Sequence, residues 1–134
     1  MKKAIYGFPG AVPECITDVH LADMSKILDI AAGTCVWTLE LAQMPQIKPR
    51  LHPDSPSLSL YACDINKDFF PDPSITEAFG VVTFQQDVTK DFPNDLYGQF
   101  DLVHISFLAI CLTISGWETA LNNCARLLSL CSPL

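Results

Sequence analysis

Short apolar runs and segments of helical period alternate along this chain. Ile27–Ala31 is apolar except for Asp29, as in a central parallel strand covered on both faces. Val36–Gln43 sets Val36, Leu39 and Ala42/Gln43 at helical spacing and is stopped by Pro45. Four prolines between Pro45 and Pro56 make the next stretch a loop. Leu58–Asp64 reads as a second strand, and Pro73–Gly80 as a short helix with Ser74 as its cap and Gly80 as its stop. Val81–Asp87 and Phe100–Ser106 read as the third and fourth strands. From Gly116 to Cys131 the residues Trp117, Leu121, Cys124, Leu128 and Cys131 recur at helical steps, which predicts a helix with these residues as its core face. Strands alternating with helices imply an α/β fold, a parallel sheet with helices on both faces.

In such sheets ligands bind outside the carboxyl ends of the strands, where the strand order reverses. Polar groups sit at three of these predicted ends. The turn Ala31-Ala32-Gly33-Thr34 follows the first strand, Asp64 ends the second and Asp87 the third. Small residues let backbone N–H groups approach a bound molecule, close to the start of a helix. An acid at the end of the second strand suits the two hydroxyls of a ribose. Together they point to a nucleoside cofactor. The dinucleotide fingerprint G-x-G-x-x-G is not met, because only Gly33 of its glycines is present, so a nicotinamide dinucleotide fits poorly.

Composition narrows the partners. The 134 residues suffice for one domain with a real core, and 49% hydrophobic against 17% charged residues describes a globular chain. A net charge of −7, with eight scattered Lys and Arg, excludes a nucleic-acid partner. The six cysteines form no C-x-x-C pair and lie mostly in apolar runs, and the amino-terminal residues lack the apolar core of a secretory signal; both suit a reduced, cytoplasmic protein. The three histidines show no metal-ligand spacing to those cysteines, so no metal is expected. Leu102–Trp117 is apolar but short for a membrane span and contains His104, so no membrane segment is expected.

The stretch "ILDIAAGTCVW" resembles motif I, D/E-x-G-x-G-x-G, of class I S-adenosylmethionine-dependent methyltransferases. Asp29 stands at its acid, and Ala31, Gly33 and Cys35 stand at its three glycines. "YACDINKDFFP", "VTFQQDVTKDFPNDLYGQFDLVHIS" and "GWETALNNCARLL" follow in the order found in the methyltransferases of fungal secondary metabolism, which also carry a Trp after motif I, as at Trp37. The resemblance runs from about Lys26 to Leu128.

It implies a Rossmann-like methyltransferase fold, with residues 1–25 as an amino-terminal segment and 26–134 as the cofactor-binding core of a single domain. It implies S-adenosyl-L-methionine as cofactor and a small-molecule substrate. Asp29 would serve the amino end of the methionine moiety, directly or through the loop, and Ala31 and Gly33 would line its passage. Asp64 would take the ribose hydroxyls, Ile65 the adenine face, and Asp87 with Val88 the adenine edge. His104, Ile105 and Ser106 would lie near the sulfonium, with His104 the candidate base. A packed, hydrogen-bonded core histidine is the competing reading of His104.

The sequence departs from the pattern in two ways. Ala31 and Cys35 add side chains where glycine is usual, and the chain ends at "RLLSLCSPL", where such proteins run on into a fifth strand. The expected sheet therefore lacks its carboxyl-terminal strands. An open edge on the fourth strand would suit a second copy or a partner chain. The competing function is a shortened methyltransferase-like protein that holds the cofactor or a small molecule without methylating, or works with a partner.

Overall fold

The computed structural model describes residues 18–105 and 112–129. A helix, α1 (Asp18–Asp23), precedes the first strand, β1 (Lys26–Ile30). Then come α2 (Val36–Ala42), β2 (Ser59–Asp64), α3 (Pro73–Ala78), β3 (Val81–Gln85), β4 (Leu102–Ile105) and α4 (Ile114–Leu127). The strands form one four-stranded sheet in the order β3-β2-β1-β4, and every pairing is parallel. Strand order reverses beside β1, between its neighbours β2 and β4. The α/β expectation is met.

Alternation along the strands splits the core into two clusters. Ile27, Leu60, Ala62 and Val81 point to one face, packing with Leu21 and Met24 of the α1 region and Trp37 and Leu41 of α2. Leu28, Ile30 and Cys63 point to the other, where Ala120 and Leu127 of α4 meet Val88, Phe92 and Phe100. The sheet thus has helices on both faces, and its core starts before β1, at Leu21. Arg50 holds the end of α1 by donating to the carbonyl oxygens of Leu21 and Met24, groups a helix end leaves without intrahelical partners. At the amino ends of the strands, the carboxylate of Asp101 accepts from the backbone N–H groups of Ser25 and Lys26 and from Ser129 Oγ.

Several expectations need correction. The cap of α3 is Asp72, whose carboxylate accepts from Ser74 N–H at 2.9 Å; Pro73 takes the first helical position, where its missing N–H is harmless. Gly80 does stop this segment, with φ +68°. The third strand ends at Gln85, two residues short of Asp87. The fourth begins at Leu102, because Phe100 instead bridges to Leu128; Ser106 lies outside the described residues.

The stripe on the last helix is also displaced. Its buried residues are Ala120, Asn123 and Leu127, while Leu121 is 56% exposed and Trp117 and Cys124 are half-buried. Leu128 has left the helix, and Cys131 lies outside the described residues. The physical reason is the turn after α4. Phe100 N–H donates to Leu127 O and Ser129 N–H to Phe100 O, so residues 128–129 lie beside the approach to β4 and fix which face of α4 meets the sheet. No helix among the described residues is long and apolar enough to cross a membrane.

Candidate functional site

The carboxyl ends of β1, β2 and β4 bring together most of the sequence-predicted residues. Immediately after β1 the backbone takes a left-handed conformation at every second position: Ala31 (φ 58°), Gly33 (φ 55°) and Cys35 (φ 61°). Glycine adopts this freely, but an L-residue with a Cβ is strained there by about 1–2 kcal/mol. Ala31 and Cys35 keep the turn's shape without glycine's freedom. Two hydrogen bonds tie the turn to the end of β2, Ala32 N–H to Cys63 O at 2.9 Å and Gly33 N–H to Asp64 Oδ2 at 2.8 Å. Asp64 Oδ1 accepts in turn from Asn66 N–H at 2.9 Å. This carboxylate is only 8% exposed, yet both oxygens are satisfied by backbone donors, so it is held rigidly at the strand end.

Asp29 behaves differently. It is 1% exposed, and both its oxygens are engaged by side chains. Thr38 Oγ1 of α2 donates to Oδ2 at 2.7 Å, and His104 Nδ1 lies 2.9 Å from Oδ1. The sheet register explains the second contact, since Asp29 and His104 are direct neighbours across β1 and β4. The His104 ring also stacks flat on Trp37, with centroids 3.9 Å apart and planes within 2°. Trp37 therefore packs α2 onto the sheet. A carboxylate so enclosed is held between α2 and β4. Sequence reasoning missed Thr38; the only signal was a hydroxyl residue in the first turn of a helix, on a face that meets the strand bearing Asp29.

The remaining predicted residues are arranged around this centre. Ile65 is 62% exposed at the end of β2, and its carbonyl accepts from Gln85 Nε2. Asp87 forms a local turn, accepting from Thr89 N–H and Thr89 Oγ1, and those bonds hold its carboxyl below the usual carboxylate range. The Val88 side chain is buried in the α4-side core, and its carbonyl accepts from Asn123 Nδ2 at 2.8 Å. Ile105 faces the same side. Asn123, buried on α4, also went unnoticed in the sequence; it ties down the segment after β3 through Val88 O and Lys90 O.

Neither cysteine at the site is an activated nucleophile. Burial, reinforced by Asp29 and Asp64, pushes the Cys35 thiol up to about 12, and burial raises Cys63 as well. Among the described residues no three His, Cys, Asp or Glu side chains are grouped to hold a metal ion.

Comparison with solved structures gives several methyltransferases among the neighbours. The CMeT domain of the citrinin polyketide synthase superimposes with a TM-score of 0.59 at 14% identity, over 78% of this chain and 26% of that one. SAM-bound CalS10 from Micromonospora echinaspora, an amino pentose methyltransferase, gives 0.57 at 17% identity over 83% and 41%. The trans-methyltransferase CalH in complex with SAH gives 0.57 at 24% identity over 77% and 28%. The fold is a Rossmann-like methyltransferase fold. The likeness is one of fold, and the chain spans between a quarter and about two fifths of the length of these neighbours. No sequence family matches the chain. No curated protein matches it either.

A Cβ built on Gly33 would meet nothing within 4 Å, so there is open space beside the turn at this position. Asp64 is bonded to the Gly33 N–H, and the exposed apolar Ile65 follows it directly.

Proposed function

We propose that this chain binds S-adenosylmethionine across the carboxyl ends of β1 and β2 and transfers its methyl group to a small molecule. One observation carries the reading: the left-handed turn at residues 31, 33 and 35 is retained though two of its positions are not glycine, and it is latched to the acid ending β2. A turn serving only as a connection would not need two strained positions, Ala31 and Cys35, one on each side of a left-handed glycine.

Asp64 would hold the ribose hydroxyls, Ile65 would cover one face of the adenine, and Asp87 with the backbone at Val88 would meet its edge. Ala31 and Gly33 would line the methionine moiety, with Asp29 supporting the turn from beneath. The cofactor supplies an already activated methyl group. The protein's part is then to orient an acceptor and exclude water. Only an oxygen or nitrogen acceptor that must lose a proton calls for a base, and His104, near the end of β4, would take that role.

The substrate is proposed to be a natural-product-like small molecule. The citrinin polyketide synthase domain and the amino pentose methyltransferase among the neighbours support this, as does the motif order resembling that of fungal secondary-metabolism methyltransferases.

Calorimetric titration with S-adenosylmethionine and S-adenosylhomocysteine tests the reading. Micromolar binding of both, weakened at least tenfold in Asp64→Ala, is expected. A folded chain that binds neither would sink it, and binding without transfer to any acceptor would leave a cofactor-holding protein.

A further inference from the structure

Three side chains around His104 decide which of its ring nitrogens carries the proton. Asp29 Oδ1 lies 2.9 Å from Nδ1, a distance at which a carboxylate accepts and the ring nitrogen must donate. Thr38 Oγ1 donates to the other oxygen at 2.7 Å, so the carboxylate cannot turn from the ring without breaking a buried hydrogen bond. Trp37 lies against the imidazole face at 3.9 Å and 2°, which keeps the ring in the plane of the Asp29 contact. The β1–β4 register sets Asp29 opposite His104, so the pairing is built into the sheet.

We propose that Asp29 and Thr38 are positioning residues that hold His104 as the Nδ1–H tautomer, with Nε2 the acceptor for the proton of an oxygen or nitrogen nucleophile during methyl transfer. The role rests on the methyl-transfer reading and moves Asp29 from the cofactor to the base. As the nucleophile's lone pair closes on the methyl carbon, the carbon–sulfur pair returns to sulfur and the nucleophile's proton passes to Nε2. Asp29 then faces an imidazolium, which its negative charge stabilises. The groups around the ring are consistent with this. Asp29 approaches from β1, and the neutral side chains of Thr38 and Trp37 approach from α2. The Cys35 thiol, raised to about 12 by burial with Asp29 as a further cause, stays uncharged.

Nitrogen-15 NMR of the histidine rings tests the proposal without a substrate, since the chain has only three histidines. The free chain should show His104 with its proton on Nδ1. Thr38→Val should weaken that preference and Thr38→Ser restore it. Asp29→Asn, whose amide would donate to Nδ1, should reverse it; the Thr38 pair carries the test if that variant does not fold. A wild-type ring protonated on Nε2 overturns the proposal.

The second arm compares complexes with S-adenosylmethionine and S-adenosylhomocysteine. The Nε2 resonance of His104 should differ between the cationic sulfonium and the neutral thioether, while Nδ1 stays held by Asp29. Identical Nε2 resonances in the two complexes overturn the role of Nε2. An Nδ1–H ring in a chain that binds neither nucleoside sinks the methyl-transfer reading, and Nε2's role with it, while the positioning by Asp29 and Thr38 stands.

Discussion

The two faces of the sheet are made by the same strands and differ in character. Under α2 the strands present Asp29, Asp64 and His104 beside the apolar Ile27, Leu60 and Ala62. Under α4 they present Leu28, Ile30 and Cys63, against Phe100, Phe92 and Leu127. Side chains along a strand alternate between faces, so each polar residue at a strand end is assigned to one side by its parity with the core residues before it. Asp29 shares the face of Ile27, and Asp64 that of Ala62 and Leu60. The chemistry therefore collects on the α2 face while the α4 face stays free to pack. The difference teaches that one face combines core packing with the candidate site, whereas the other presents mainly apolar packing.

Substitutions of the apolar side chains on the α4 face should therefore act on stability alone, and strongly. Phe100→Ala removes a fully buried ring that meets Tyr61 edge-on at 5.4 Å, and should lower unfolding stability by about 3–5 kcal/mol in a denaturant titration. Any surviving folded fraction should bind nucleoside as before; a selective loss of binding would erase the contrast between faces. Next in size, Asn123→Ala leaves the carbonyls of Val88 and Lys90 without their buried donor and should cost about 1–3 kcal/mol, read in the same way.

Acid should act away from both faces, at the amino ends of the strands. Burial of Asp101 works to raise its pKa, but hydrogen bonds from Ser25, Lys26 and Ser129 outweigh it and hold the carboxyl below its usual range. A depressed folded value means stability that is full above the unfolded pKa near ~4 and lost as the pH falls through the folded one. Asp101→Asn should thus be less stable than the wild type at pH 6, with the gap closing below pH ~4 in thermal melts. A gap that persists into acid would show that the hydrogen bonds do not depend on the charge.

The smallest effect belongs to the turn itself. Ala31→Gly relieves a left-handed alanine but frees the unfolded chain, and should stabilise by up to about 1 kcal/mol. A loss of stability there would mean that the methyl group's packing against the α4-side core outweighs the strain.

Much of this arrangement was legible along the chain. Continuous apolar runs marked β1 and β2, helical spacing marked α2, and an acid or small-residue turn after an apolar run marked the strand ends, because these are local patterns with a local physical cause. The ends of β3 and β4 were less legible. Gln86 and Asp87 continue a plausible strand pattern, but Gln86 Nε2 turns back onto the carbonyls of Asp87 and Asp91 and ends the pairing. The face of α4 was misread because a stripe at steps of four and three fixes only the period. Rotation of a helix by one residue leaves its period unchanged, and the turn at residues 128–129 sets the rotation.

Composition and periodicity along the chain were enough for the parallel α/β class and for the position of Gly33, Asp64 and the turn between them. Tertiary structure alone decided that Ala31 and Cys35 are left-handed, that Asp29 is claimed by Thr38 and His104, and that Trp37 lies on the imidazole. Apolar period follows from the geometry of one element and can be read from its residues. The partner of a buried polar group is chosen by the pairing of strands far apart in sequence, here β1 with β4, and exists only once the sheet has formed.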